Sequence, residues 1–122
     1  MGKYVIDAAL DAMLAFVAEC TRLDVTSDAG TPANLDNTLA NVTLTAGDGN
    51  GDYTISNGDT NGRKLTVAQQ AGVSVTASGT AKHIALSLTG TIRLATTCTD
   101  QVLTLGNTVT IPTFDDEVAD PS

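Results

Sequence analysis

The segment that decides the fold is His83-Ile84-Ala85-Leu86-Ser87-Leu88, in which large aliphatic residues alternate with small or polar ones. Successive side chains of a β-strand point to opposite faces, so a period of two places Ile84, Leu86 and Leu88 on one face. The segment therefore predicts a half-buried strand.

Similar short segments recur along most of the chain after Arg22. Pairs such as Asn57-Gly58 and Thr89-Gly90 separate them and favour tight turns. Their apolar residues are Leu23 with Val25, Val42 with Leu44, Leu65 with Val67, Val73 with Val75, Ile92 with Leu94, Val102 with Leu103 and Leu105, and Val109 with Ile111. Many short strands with frequent turns predict a mainly β fold, an antiparallel β-sandwich of jelly-roll or Ig-like type over residues 22–114.

Residues 3–21 carry the one helical pattern of the sequence. Apolar residues recur there at spacings of three and four, which places them on one face of a helix. They are Ile6, Leu10, Met13, Leu14, Val17 and Cys20, of which the first five are candidate interface residues. Two interpretations stay open: the stripe packs on the body of the domain, or it docks into a partner or a helix cluster around a symmetry axis.

The length of 122 residues suits a single domain, residues 1–122, ending in an acidic and solvated tail over residues 115–122. The formal charge of −8 argues against nucleic-acid binding, which needs clustered Lys and Arg to displace counterions from phosphate. No apolar run is long enough to span a bilayer, and acidic residues interrupt the N-terminal apolar stretch, so we expect no membrane association and no signal peptide.

Large aromatic side chains are scarce, because the chain has no Trp, two Tyr and two Phe. A core built from Val, Leu, Ile, Ala and Thr is thin, and we expect neighbouring copies in a homo-oligomer to add stability. The two cysteines, Cys20 and Cys98, fit either two free thiols or one disulfide, and the pattern favours the thiols.

The loop from Asp48 to Asp52 alternates oxygen-bearing side chains with glycine, as the start of a calcium loop does. The candidate ligands are Asp48, Asn50, Asp52 and Asp59. The pattern then fails, since Tyr53 stands where such a loop needs glycine for its sharp turn. A plain hairpin loop is therefore the favoured interpretation.

No residue pattern indicates catalysis. His83 is the single histidine and lies in an alternating segment, where it is expected to be a partly exposed strand residue. No Gly-x-Ser-x-Gly elbow and no closely spaced set of zinc ligands occur. We therefore expect a protein that is not an enzyme and uses no cofactor.

The order of the β segments resembles that of small virion-associated proteins of tailed bacteriophages. The segments that carry this resemblance are YVIDAALD (4–11), GRKLTV (62–67), GVSVTASGTAKHIAL (72–86), RLATTCT (93–99) and GNTVTIP (106–112). The resemblance implies an accessory structural protein of the virion, a capsid decoration or cement protein made in the host cytoplasm. Its implied partners are the major capsid protein or other virion proteins, bound as lattice copies.

An alternative within the same resemblance is a host-recognition module on a tail or fibre that binds carbohydrate. Sugar sites commonly place exposed aromatic rings beside polar groups. Tyr53 is the one aromatic residue that the sequence places in a loop, so this alternative has little support. A small hydrolase that uses acidic residues is the enzyme alternative, and the missing base argues against it.

Overall fold

The computed structural model describes residues 6–27 and 37–118. Within these ranges one α-helix precedes nine β-strands, and the paired strands run antiparallel. The described part of the chain is thus mainly β with a single helix ahead of antiparallel sheets, which confirms the predicted mainly β class, and the sandwich arrangement stays a prediction. Residues 3–5 of the predicted helix and residues 119–122 of the predicted tail lie outside the described ranges.

The chain divides into two compact units, so the single predicted domain contains two packing centres. Unit 1 comprises Met1–Glu19, Thr45–Gln69 and Thr113–Ser122, and unit 2 comprises Cys20–Leu44 and Gln70–Pro112. The elements are α1 (Asp7–Ala18), β1 (Arg22–Thr26), β2 (Thr38–Thr43), β3 (Tyr53–Asn57), β4 (Arg63–Val67), β5 (Gln70–Ser74), β6 (Gly79–Leu88), β7 (Thr91–Leu103), β8 (Thr108–Ile111) and β9 (Phe114–Val118).

Unit 1 is a helix on a three-stranded sheet of order β3-β4-β9. Helix α1 packs on β3 and β4. Its sheet supplies three fully buried side chains, Tyr53, Leu65 and Val67, which lie on one face by their strand positions. Residues 45–69, predicted to lie within the sandwich, thus belong with the helix.

Strand β9 corrects the prediction of an acidic tail from residue 115. Phe114–Val118 pairs with β4 along its whole length. Asp115 stays exposed and accepts a hydrogen bond from the Thr66 hydroxyl at 2.8 Å. The backbone hydrogen bonds of the ladder thus accommodate an acidic segment, in which Asp115 and Glu117 are exposed and Asp116 is half-buried on the opposite side of the strand.

Unit 2 contains a four-stranded sheet of order β2-β1-β6-β7 and a two-stranded sheet, β5-β8. The central strand β1 is buried on both faces: Leu23 and Val25 on one, Asp24 and Thr26 on the other. Asp24 is the charged residue of this core, and it binds the guanidinium of Arg22 in a bidentate contact at 2.7 and 2.8 Å. The jelly-roll or Ig-like connection pattern stays a prediction.

Local chemistry explains where the elements end. The predicted turn between β6 and β7 is present, with positive φ at Thr89 (48°) and Gly90 (83°). Helix α1 ends at Ala18 rather than at residue 21, because Thr21 already hydrogen-bonds Ser87 and Leu44 in unit 2. Among the described residues, no helix is long and apolar enough to cross a membrane.

Candidate interaction surface on helix α1

The predicted apolar stripe of α1 is divided between a buried face and an exposed one. Leu10, Leu14 and Val17 lie in the core of the protein, with 9% or less of each side chain exposed. These three predicted interface residues are therefore not available to a partner. Ile6 and Met13 are more than half exposed and remain interface candidates.

An ion pair orients the helix on its sheet. Arg63 of β4 donates from Nε to Oδ1 of Asp11 at 2.7 Å and from Nη1 to Oδ1 of Asn57 at 2.7 Å. The hydrogen bond with Asp11 raises the pKa of Arg63, and the negative charges of Asp7 and Asp48 act in the same direction. The guanidinium thus joins α1 to β3 and β4 and fixes which side of the helix faces outward.

A backbone contact holds the other end of the helix. The amide of Gly47 donates to the carbonyl oxygen of Ala18 at 2.9 Å and satisfies one of the unpaired carbonyls of the last turn. The φ of Gly47 is +99°, in the region that favours glycine. The loop after β2 is therefore attached to the C-terminal end of α1.

The outward side of α1 is apolar along the helix. We call it the outer face, and it consists of Ile6, Ala8, Ala9, Ala12, Met13, Ala15 and Phe16, all exposed. Ile6, Met13 and Phe16 expose 58%, 57% and 55% of their surface. Met13 and Phe16, three residues apart, lie on one side of the helix, and Ile6 is the N-cap residue that precedes it.

Helix α1 is apolar on the side that faces the sheet and also on the opposite side. A surface helix usually presents charged or polar residues to water, and a helix that is apolar all round is usually buried. In α1, Asp7 and Asp11 are the charged residues, and both lie in the first half of the helix. The outer face is thus an apolar surface that is exposed in this structure.

Negative charge is concentrated in the unit that carries the outer face. Ten of the 14 acidic residues but three of the six basic residues lie in the segments of unit 1, which gives it a formal charge of −7 and unit 2 a charge of −1. Asp7 and Glu19, at the two ends of α1, are exposed. The outer face is therefore apolar in its centre and acidic at its ends.

This surface is suited to contact with another macromolecule, since its large side chains are apolar and its charges are of one sign. Comparison of the chain with protein-family models, with curated proteins and with solved structures finds no match. Sequence reasoning found Ile6 and Met13 of this surface but missed Phe16. Its position three residues after Met13 was the signal available in the sequence.

The polar side chains of the acidic loop considered for calcium form hydrogen bonds to backbone groups nearby in the chain. Asp48 accepts a hydrogen bond from the amide of Ile55 at 2.9 Å, and Asp52 accepts one from the amide of Thr45 at 2.6 Å. Asn50 donates to the carbonyl oxygen of Ala46 at 2.8 Å. These hydrogen bonds fix the conformation of the loop and link it to β3.

The fourth candidate ligand has another partner, because Asp59 accepts a hydrogen bond from Lys64 at 2.8 Å. Within residues 6–27 and 37–118, no group of three or more His, Cys, Asp or Glu residues is placed to hold a metal ion. The geometry thus gives the four side chains structural contacts, and calcium binding stays the less favoured of the two interpretations of this loop.

Two further residues singled out in the sequence take structural positions. His83 lies on β6, opposite Thr26 of β1 and Thr97 of β7, and is half-buried. Tyr53 is not in a loop: it begins β3 and is fully buried. Its ring is therefore not available to a sugar.

Unit 2 contains a cavity of about 180 Å³ between its two sheets. Its apolar lining comes mainly from Val25, Ala81, Ile84, Leu103, Val109 and Ile111. Cys98 also lines it, and burial together with the charge of Asp100 raises the pKa of this thiol. Neither Cys20 nor Cys98, both among the described residues, forms a disulfide; Cys20 is buried and Cys98 is half-buried.

Proposed function

We propose that this protein is a structural component of a tailed-phage virion, a capsid decoration or cement protein bound to the major capsid lattice. It acts by attachment, without catalysis and without a cofactor. The observation that carries the proposal is the outer face of α1, which leaves Met13 and Phe16 more than half exposed.

Burial of this surface supplies a useful but limited free energy. Covering a side chain such as that of Ile, Met or Phe contributes roughly 1.5–3 kcal/mol, and here each is already partly covered. Association costs about 4–15 kcal/mol in lost freedom, so one copy docking through this face alone binds weakly. Weak contacts become strong when copies are linked on a lattice, because the effective concentration of each further contact is high.

The β-rich body supports the same role. Four of the segments that resemble phage virion proteins lie in strands β4 to β8 and the turns that join them. These strands hold their backbone groups in antiparallel ladders. In unit 1, the antiparallel β3-β4-β9 sheet on which α1 packs gives a rigid support, so the docking face can be presented without reordering on binding.

The proposal is tested by cosedimentation with empty heads assembled from the major capsid protein of the phage in whose virion this chain is proposed to occur. We expect wild-type protein to pellet with the heads and Met13→Asp to remain in the supernatant, because a charge in the contact would be desolvated. The matched control is Val102→Asp, which places the same charge on an exposed apolar residue of unit 2. It is expected to pellet like the wild type.

Failure of the wild-type protein to bind heads, together with its absence from purified particles, would overturn the proposal. Equal loss of binding in Met13→Asp and Val102→Asp would remove α1 as the docking face. The carbohydrate-binding alternative is not favoured, since the buried Tyr53 was its one supporting aromatic residue. Reproducible binding on a glycan array would revive it.

A further inference from the structure

We infer that the outer face of α1 binds a partner surface that is apolar at its centre and bordered by Lys and Arg, and that it does not pair with a second copy of itself. This inference rests on the docking role proposed above and specifies the chemistry of the partner. Three observations carry it: the exposed apolar face, the charge of its unit and the position of the acidic groups around the helix.

The charge near the helix remains negative after its internal ion pair is counted. Among the described residues, Arg63 is the cation that contacts α1, and it lies within electrostatic reach of Asp7, Asp11 and Asp48. One positive charge thus faces three carboxylates. The flank of α1 that meets the sheet keeps an excess of negative charge beside the exposed apolar side chains.

The C-terminal end of the helix adds to this field. Glu19 is exposed at the C-cap, and the Gly47–Ala18 hydrogen bond holds the loop containing Asp48 at the same end. Acidic groups thus stand at both ends of the surface that contains Met13 and Phe16. Charges at the border of an interface select partners of opposite charge and speed their association.

The outer face of a second copy is a poor partner for the outer face of α1, because both are acidic at their ends. Packing α1 against α1 would bring two units of formal charge −7 together, with their acidic flanks closer than the screening length of about 8 Å at physiological salt. Like charges facing each other across an interface oppose association. Lys and Arg residues around the contact surface of the partner would instead be attracted by the acidic residues around α1.

The test uses two synthetic helical peptides that share a leucine face and differ in the residues beside it, lysine in one and glutamate in the other. Amide chemical shifts of the full chain report where each peptide binds. We expect the lysine peptide to shift the amides of α1 and to lose about tenfold in affinity when salt screens the charges. We expect the glutamate peptide to leave α1 unchanged.

Two variants separate charge from apolar contact. Asp7→Asn combined with Glu19→Gln should weaken the lysine peptide several-fold and reduce its salt dependence. Met13→Ser should abolish its binding, whereas Val102→Ser, the control in unit 2, should not. Equal binding of both peptides, or a dimer in sedimentation that Met13→Ser dissolves, would overturn the inference.

The same double variant in the head-binding assay distinguishes this inference from the proposed function. If the protein binds heads and neither salt nor the double variant changes that binding, the virion role stands. The same result would refute the inference that the partner surface is bordered by Lys and Arg. Binding of the lysine peptide without binding to heads would refute the virion role and support the surface chemistry.

Discussion

The guanidinium of Arg63 on β4 lies 2.7 Å from the carboxylate of Asp11 on α1, two residues that are 52 positions apart in the sequence. The contact ties the helix to the sheet at its charged side. It therefore leaves the side formed by Ile6, Met13 and Phe16 facing away from the sheet.

Replacing Arg63 by Gln should loosen the helix without unfolding the protein. Amide hydrogen exchange in α1 should become faster, because the guanidinium contact with Asp11 is lost. Lys82→Gln is the control, since Lys82 pairs with Asp100 at 2.8 Å in unit 2 and should leave exchange in α1 unchanged. Slow, wild-type exchange in α1 of Arg63→Gln would show that the pair does not hold the helix.

The two faces of α1 should respond differently to truncation. Leu14→Ala removes a buried side chain and should lower the free energy of unfolding by about 2–5 kcal/mol. Met13→Ala, one residue away but exposed, should change it by less than about 0.5 kcal/mol. Chemical denaturation measures both. Similar losses for the two variants would mean that Met13 is covered within the free protein.

Replacing either member of the Arg22–Asp24 ion pair in unit 2 should lower the free energy of unfolding, but by different amounts. Arg22→Met leaves the fully buried Asp24 carboxylate with the Thr38 hydroxyl, 2.7 Å away, and should cost about 3 kcal/mol. Asp24→Asn should cost about 1 kcal/mol, because the guanidinium of Arg22 is 46% exposed and regains water. A larger loss of unfolding free energy for Asp24→Asn than for Arg22→Met would contradict the view that the unpaired, buried Asp24 carboxylate causes the main destabilisation.

Asp116 on β9 should make the protein less stable as pH rises. It shares a strand face with Phe114 and lies opposite the buried Leu65, and burial raises the pKa of Asp116. Because its folded pKa exceeds its unfolded pKa, stability is lost as pH rises from the ordinary value of about 3.9 through the folded value.

Asp116→Asn should therefore raise the unfolding free energy at pH 7, by less than about 1 kcal/mol because water partly screens this half-exposed carboxyl. The gain should vanish near pH 3, where the wild-type carboxyl is protonated in both states. Asp115→Asn, on the exposed face of the same strand, is the control. An equal gain at pH 3 and pH 7 would rule out titration of Asp116 as the cause.

The two thiols should differ in reactivity. Cys98 should be alkylated with a pH midpoint above that of an ordinary cysteine, since burial and the charge of Asp100 raise its pKa. Asp100→Asn should move that midpoint down. Cys20, which is fully buried, should react only after unfolding. Equal rates for the two thiols in the native protein, followed by mass spectrometry, would contradict this.

The sequence predicted strands β1, β5, β6 and β8 of unit 2, because each carries alternating apolar residues near turn residues. Strand β7 (Thr91–Leu103) continues through two segments that were predicted separately, and β2 (Thr38–Thr43) ends before the predicted Leu44. Strand β3 was missed although Tyr53 and Ile55 alternate, since the preceding glycine-rich loop indicated an extended surface loop. Strand β9 was missed for a different reason. Its central inward residue is Asp116, so the period of two is hidden by charge.

The interface prediction shows a second limit. Spacing identifies which residues share a helix face, but α1 has apolar residues all round, and spacing alone does not say which side meets the sheet. The Asp11–Arg63 contact decides this, and it joins segments that are distant in sequence. The same distance explains why the two units were not predicted: β9 joins β4 from the other end of the chain.

The segments of unit 2 lie between those of unit 1 along the chain. During synthesis from the N-terminus, α1, β3 and β4 therefore leave the ribosome before the last strand of their sheet exists. The strands of unit 2 are complete at Ile111, whereas unit 1 gains β9 only after Phe114 to Val118 have been made. The nascent chain thus carries α1 without its finished sheet until Val118 has been made, so the outer face gains its complete support only after the strands of unit 2 exist.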